Sequence, residues 1–281
     1  MKIKLVSDST PDLPLEFLKE NNVEIVPIII TFKEDEYLDL LEINSSKLYS
    51  LVEEKKVLPK TSARSVGYFM DVFQRAFDEG YEQVVCITIS SLCSSTYQNA
   101  LMAAQEFAGK VFVHDSLNLS SGEGLQLLKA LELIKQGLSG QEILDQLKEM
   151  TGKVRSQFAI ESLDYLHKGG RCSQTSYYLG KSFKIKPIIR VVDGKMIVYK
   201  KALGKMRNAL DKLLEIIKED LANLSNDKVV ITHSLANESL AYLKEELAKI
   251  VPEEKIMVTD AGCAISTHCG KGTIGIIYSV N

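Results

Sequence analysis

Long apolar runs are missing from this chain of 281 residues. None approaches the ~20 residues that cross a bilayer, so no transmembrane segment is expected. One-sided charge is missing too. With 34 Lys and Arg against 37 Asp and Glu, the net charge of −3 gives no field that would track phosphates, and nucleic acid is not an expected partner. There is no low-complexity stretch or internal repeat. A composition of 45% hydrophobic and 25% charged residues excludes a disordered or fibrous chain. The opening MKIKLVSDST alternates as a strand does and lacks the extended apolar core of a signal peptide. Cysteine occurs an odd five times (Cys86, Cys93, Cys172, Cys263, Cys269) with no CxxC pair, which argues against a disulfide framework and for a reducing, cytoplasmic home. Cys263, His268 and Cys269 lie close in sequence but lack the second ligand pair of a zinc site, so neither a metal nor another cofactor is expected.

Catalytic fingerprints are equally sparse. No GxGxxG follows the first strand, and no GxSxG elbow is present. The segment before the last strand is not a P-loop, because Ile265 stands at the position of its first glycine and a strand follows where a helix is required. Serines with His233 and His268, both read as loop residues, permit a Ser–His pair, but no acid is assignable to complete it. Groups that hold an anion are plentiful and a nucleophile with its base is not. This asymmetry favours binding over turnover.

What the chain does contain is alternation of strand and helix patterns. Residues 2–6, 83–89 and 111–113 read as strands, and 23–30 as one nearly continuous buried strand. Between them, Phe69, Val72, Phe73 and Ala76 recur at helical spacing, as do Leu125, Leu128, Leu131 and Ile134. After Thr151-Gly152 the pattern changes. Residues 188–192 and 196–199 flank Asp193-Gly194 as a hairpin, and a helix is expected over 203–221. Strands at 229–232, 256–259 and 274–278 follow, with a helix over 238–250. The expected fold is two α/β domains, 1–152 with a mostly parallel sheet and 153–281.

Five hydroxyl- or glycine-rich segments sit at the expected strand ends. In residues 7–12, Ser9 and Thr10 are expected helix caps, with ligand contact the alternative. The loops holding Thr61 and Ser62 and holding Ser94, Ser95 and Thr96 each precede a helix and would make two walls of one anion pocket. Lys168-Gly169-Gly170-Arg171 reads either as an anion-binding turn or as a helix C-cap followed by a solvated Arg. Ser266, Thr267 and His268 read as a loop in which His268 is either an anion donor or an ordinary hydrogen-bonded residue.

Taken in order, these segments resemble the DegV family. Ser7-Asp8-Ser9-Thr10-Pro11-Asp12-Leu13 is similar to the family's opening motif. Thr61-Ser62-Ala63-Arg64-Ser65 is similar to its TSQPS segment, and Ser94-Ser95-Thr96-Tyr97-Gln98-Asn99-Ala100 to its SGTYQSA segment. Tyr165-Leu166-His167-Lys168-Gly169-Gly170-Arg171-Cys172-Ser173 resembles YLRKGGRIS. Lys184-Ile185-Lys186-Pro187-Ile188 and Thr267-His268-Cys269-Gly270-Lys271-Gly272 resemble the later KPI and THTGPG segments. The resemblance implies a non-enzymatic carrier of one long-chain fatty acid such as palmitate, with the carboxylate between two domains and the tail in an apolar tunnel. It also implies presentation of the acid to a fatty acid kinase for phospholipid metabolism. By the same resemblance Thr61, Ser62, Ser94 and His268 hold the carboxylate, and Arg171, Ser95 and Thr267 are candidate anion or partner contacts. An acyl- or phosphoryl-group hydrolase or transferase on the same scaffold is the alternative. The chain departs from the family pattern in several places. Ser95 replaces a glycine, Ala63-Arg64 replaces Gln-Pro, and Lys271 replaces a proline. Lys201-Ala202-Leu203-Gly204 lacks an arginine that the family often carries before its long second-domain helix, which implies weaker coupling to a kinase.

Overall fold

The computed structural model describes residues 2–107, 109–171 and 185–281, so Cys172, Ser173 and Lys184 of the motifs above lie outside the described residues. β1 (Ile3–Asp8) leads through α1 (Leu15–Glu20) into β2 (Glu24–Val26). The chain then leaves that sheet. β3 (Ile29–Phe32), β4 (Asp35–Leu38) and, after α2 (Ser45–Lys55), β5 (Lys60–Ser62) form a separate antiparallel sheet in the order β4-β3-β5. The single strand expected over 23–30 is therefore two strands in two sheets. Pro27 stands between them, and with no N–H it cannot continue the ladder of β2. β4 and β5 were not legible, being short, polar and at sheet edges.

The chain returns through α3 (Val66–Asp78) to β6 (Gln83–Thr88), then α4 (Thr96–Ala104), β7 (Val111–Asp115), α5 (Ser121–Lys135) and α6 (Gly140–Thr151). β2-β1-β6-β7 is an all-parallel sheet, as expected, with every residue of β1 buried. Phe69, Val72, Phe73 and Ala76 form the buried stripe of α3, and the Ser65 hydroxyl caps its start by accepting from the Tyr68 N–H. α6 begins with a reciprocal Ser139–Glu142 capping box.

β8 (Val154–Ala159) opens a separate sheet and α7 (Asp164–Gly169) follows. β9 (Ile185–Val192) and β10 (Lys195–Leu203) form the expected hairpin, with both Asp193 (φ 46°) and Gly194 (φ 78°) left-handed as a tight two-residue turn requires. α8 (Met206–Asp220), β11 (Val229–His233), α9 (Asn237–Ala248), β12 (Ile256–Asp260), α10 (Cys263–Cys269) and β13 (Ile274–Ser279) complete the chain. The sheet order is β10-β9-β8-β13-β11-β12, antiparallel except for the β11–β12 pair. One face packs on Leu210, Leu213 and Ile217 of α8 and Leu243 and Leu247 of α9. The other face turns to α5, which is buried against both sheets: Leu127 and Leu131 join the core under the parallel sheet, and Leu125 packs with Val154, Val230 and Ile277. Ser121 at its start shares a buried hydroxyl cluster with Thr232 and Thr259, joining the two sheets.

Three local expectations are corrected. Leu203 closes β10, 71% exposed, and does not open a helix; α8 starts at Met206. Residues 266–269 are not a loop but the last turn of α10. Ser9 and Thr10 do not cap α1, whose N-cap position is Pro14 without a side-chain cap. Their hydroxyls turn to buried carboxyls instead.

Candidate functional site

Residues at the carboxyl ends of β1 and β6, from β5, from the inner face of the six-stranded sheet and from α10 line one cavity of about 360 Å³. That volume lies at the small end of the ~300–1,000 Å³ typical of ligand pockets. Its apolar lining includes Ile28, Ile89, Leu119, Phe158, Ile265 and Ile277. The sheet register places Phe158 opposite Gly275, and Gly275 opposite Thr232, so one row across three strands faces the cavity. A Cβ on Gly275 would stand 2.8 Å from the Phe158 Cβ and 2.7 Å from the Gln157 carbonyl; only glycine fits there.

The polar groups gather where β5, α10 and the two serine- and glycine-rich turns meet. Of the residues singled out in the sequence, Thr61, Ser62, Ser94, Ser95, Arg171 and His268 line the cavity together, and Thr267 does not. Thr61 Oγ1 lies 2.9 Å from His268 Nε2. Thr61, Ser94 and His268 are partly buried, while Ser62, Ser95 and Arg171 are exposed at the rim. Strand alternation turns neighbouring side chains to opposite faces, which is why Thr61 and not Ser62 meets His268. Ser94 Oγ pairs with Thr96 Oγ1 at 2.8 Å. Arg171 donates to the Gly169 carbonyl (2.6 Å) and to the Cys93 carbonyl (3.4 Å), so it bridges the glycine turn to the serine loop. Gly170 is the left-handed C-cap of α7 (φ 68°), and Arg171 lines the cavity. Gly169 has a different reason to be glycine, since a Cβ would stand 2.3 Å from His268 Nδ1. Thr267 is buried, and its Oγ1 has no hydrogen-bond partner among the described residues.

Burial, reinforced by the Arg171 charge, lowers the His268 pKa from 6.5 to about 4, so the ring is neutral near pH 7. His268 Nδ1 has no partner among the described residues, so no acid orients this ring as a general base. His233 also lines the cavity, but its Nε2 faces Asp260 Oδ1 at 3.3 Å and its Nδ1 accepts the Ala236 N–H. The adjacent Ser234 hydroxyl instead meets Tyr49 (2.6 Å) and Ser266 (2.7 Å). No nucleophile–base pair is assembled among these groups. No group of three or more His, Cys, Asp or Glu among the described residues is placed to hold a metal ion.

Four buried carboxyls behind the cavity were not assigned from sequence: Asp8, Asp12, Asp39 and Glu123, each at most 2% exposed. No ion pair reaches them among the described residues. Thr10 Oγ1, itself on the cavity wall, lies 2.6 Å from both Asp8 Oδ1 and Glu123 Oε2. One hydroxyl has one proton, so one of those carboxyls must carry its own. Asp8 already accepts the Thr10 and Ile89 N–H groups, whereas Glu123 otherwise receives only Ser7 at 3.2 Å; the proton belongs on Glu123. Burial and the Asp8 charge both push Glu123 well above the ordinary carboxyl range. The acids of the opening motif could have been flagged by their place at a strand end. Asp39 and Glu123 carry no such signal.

Among the described residues, no helix is long and apolar enough to cross a membrane. The DegV family model, described as an uncharacterised protein family, matches residues 2–281. A DegV domain-containing protein of Clostridium acetobutylicum is 34% identical over 278 residues, covering 99% of this chain and 98% of that protein. Among solved structures, a DegV family protein of Thermus thermophilus, described by its fatty acid binding, superposes with a TM-score of 0.93 at 30% identity over 100% of both chains. DegV of Bacillus subtilis, described as a fatty acid binding protein, does so with a TM-score of 0.87 at 27% identity, again over 100% of both chains. A family match along nearly the whole chain, a relative 34% identical over 278 residues and the same fold lead to one assignment: this chain belongs to the DegV family.

Proposed function

We propose that this protein binds one long-chain fatty acid such as palmitate and carries it without catalysing a reaction on it. The observation that carries the reading is the Thr61–His268 pair on the wall of a cavity that Ile28, Ile89, Leu119, Phe158, Ile265 and Ile277 also line. With His268 neutral, its Nε2–H donates to Thr61 Oγ1. The Thr61 hydroxyl is then left to donate to a carboxylate, with Ser94 as the second donor and Ser62 and Ser95 at the rim. Neutral donors hold the anion without burying a cation, whose desolvation would cost several kcal/mol. Arg171 supplies charge where the site opens to water. Thr267, off the cavity wall, supports α10 and not the ligand. The tail lies along Ile28, Phe158, Ile265 and Ile277, and a chain of about 16 carbons at roughly 0.8 kcal/mol per buried methylene dominates the affinity. No cofactor takes part. The two walls are those of an N-terminal unit, 1–152, and a C-terminal unit, 153–281.

In this reading the protein works in the cytoplasm and presents the carboxyl to a fatty acid kinase, feeding phospholipid metabolism. Phosphorylation needs positive charge beside the carboxyl, and Arg171 on the cavity wall is a cation that can supply it. The test is mass spectrometry of protein purified from a bacterial host without added lipid. Co-purified palmitic or stearic acid, one per chain, is expected. An empty protein that hydrolyses an acyl ester would replace the carrier with the hydrolase or transferase reading.

A further inference from the structure

Helix α10 carries Ala264, Ile265, His268 and Cys269 into the cavity, yet nothing in its own sequence caps it. Its N-cap is Gly262, which has no side chain to offer, and the first N–H groups of any helix lack partners within it. Those donors are met from far along the chain. The Gly262 N–H donates to Asp12 Oδ1 (2.8 Å), the Cys263 N–H to Asp39 Oδ1 (2.8 Å) and the Ala264 N–H to Asp39 Oδ2 (3.2 Å). Asp39 is fully buried and does more than cap. Its Oδ2 also accepts the Ser9 hydroxyl (2.8 Å), and Ser9 Oγ in turn accepts the Ile28 N–H (3.0 Å). The Asp39 N–H donates to the Ile28 carbonyl (3.0 Å). Asp39, which fixes α10 on the opposite wall, therefore also holds Ile28 on the N-terminal wall of the cavity, its carbonyl directly and its N–H through Ser9.

We propose that Asp39 is a positioning residue of the ligand site: its carboxylate locks α10 to the segment carrying Ile28 and so sets where His268 meets Thr61. The proposal rests on the fatty-acid reading for its consequence in binding, but not for its geometry. α10 spans only seven residues, about 10 Å, so it behaves as a short rigid lever. Releasing its first turn moves its last one, where His268 sits. Both Asp39 oxygens are acceptors only: Oδ1 takes the Leu40 and Cys263 N–H groups, and Oδ2 takes Ser9 and Ala264. Asn has one acceptor oxygen, so in either orientation its NH2 faces donors. Asp39→Asn is thus disruptive although nearly isosteric.

The experiment compares the parent, Asp39→Asn, Ser9→Ala and the control Asp35→Asn, whose exposed side chain pairs with Lys55. Two readouts need no ligand: NMR titration of the His268 ring, and hydrogen exchange of the Cys263 and Ala264 amides. The third is palmitate binding by displacement of a fluorescent fatty acid. Asp39→Asn is expected to move the His268 pKa from about 4 toward the ordinary 6.5, to speed exchange at Cys263 and Ala264 at least tenfold, and to weaken palmitate at least tenfold. Ser9→Ala is expected to do the same to a smaller degree, and Asp35→Asn to do nothing. If Asp39→Asn does not fold, Ser9→Ala decides the matter alone. A His268 titration and amide exchange unchanged in the folded variants overturn the positioning role. A parent that takes up no palmitate overturns the fatty-acid reading, while the two ligand-free readouts still judge Asp39.

Discussion

The wall that the parallel sheet and the small β4-β3-β5 sheet contribute to the cavity is made of segments that follow strands or lie at sheet edges: Thr10 after β1, Thr61 on β5, Ile89 and Ser94 after β6. The opposite wall is largely the face of a continuous sheet, Ser156 and Phe158 on β8 with Gly275 and Ile277 on β13, extended by α10. The first kind of wall presents hydroxyls whose exchange disturbs little core. On the second, a lining residue is also a ladder residue, so cavity shape and fold stability are one quantity. Thr61 on the first wall meets His268 of α10 on the second, and apolar lining comes from both, Ile28 and Ile89 on the first and Phe158 and Ile277 on the second. Substitutions on the two walls should differ in what they damage.

The largest effect is expected where both short donors go. Thr61→Val with Ser94→Ala removes two hydrogen bonds to a charged group, each worth about 1.5–3 kcal/mol. Fatty-acid Kd should rise by roughly two to four orders of magnitude, measured by fluorescent displacement. An unchanged Kd removes the head-group assignment. On the strand wall the damage should fall on stability. Phe158→Ala opens space beside Gly275 in a ligand-free core and should cost about 3–5 kcal/mol in urea unfolding. A loss under ~1 kcal/mol would show the cavity face to be independent of the core.

Two groups at the site, Asp12 behind the cavity and His268 on its wall, should respond to pH in opposite senses. Burial pushes Asp12 up from 3.8 to about 8, with Asp39 and Asp260 adding to the rise and the Ser120 hydroxyl and Gly262 N–H opposing it; Glu123, Cys263 and Cys269 also feel its charge. The folded state keeps a proton that the unfolded chain has lost, so this contribution is full below pH 4 and disappears as pH rises to about 8. His268 is lowered from 6.5 to about 4, so its contribution is present above pH 6.5 and lost as pH falls through 4. Urea unfolding across pH should lose part of its fall in stability between pH 4 and 8 in Asp12→Asn and part of its rise between pH 4 and 6.5 in His268→Gln. Slopes equal to the parent's contradict the assignment of those groups.

The smallest effect on binding is expected at Leu203. It is exposed on the last residue of β10, away from the cavity lining. Leu203→Arg should leave fatty-acid affinity unchanged and raise acyl phosphate yield with a bacterial fatty acid kinase, ATP and magnesium. If the parent already turns over as fast as a relative bearing arginine there, the cation is supplied elsewhere.

Much of this was legible because local pattern and tertiary context agreed. The stripe of Phe69, Val72, Phe73 and Ala76, the Asp193-Gly194 turn and the parallel strands follow from periodicity and turn chemistry alone. The failures share a cause. α10 has a weak helical sequence, with Ile265 and Thr267 β-branched and Gly262 at its start, and its caps come from Asp12 and Asp39 more than two hundred residues away. Ser9 and Thr10 have the side chains of helix caps, but buried carboxyls claimed them. The hydroxyls gathered at the cavity were readable as types at strand ends; that Thr61 rather than Ser62 meets His268 depends on β5, which its three polar residues did not announce.

The most direct test of the head-group site is NMR of palmitate isotopically labelled at its carboxyl carbon. Bound to the parent it should give one slow-exchanging carboxyl resonance, distinct from that of free palmitate. That resonance should shift in Thr61→Val and keep its position in Ile277→Val, which changes only the tail wall. A bound resonance that ignores Thr61→Val, or no bound resonance at saturating palmitate, would contradict a fatty-acid carboxylate held by the Thr61–His268 pair.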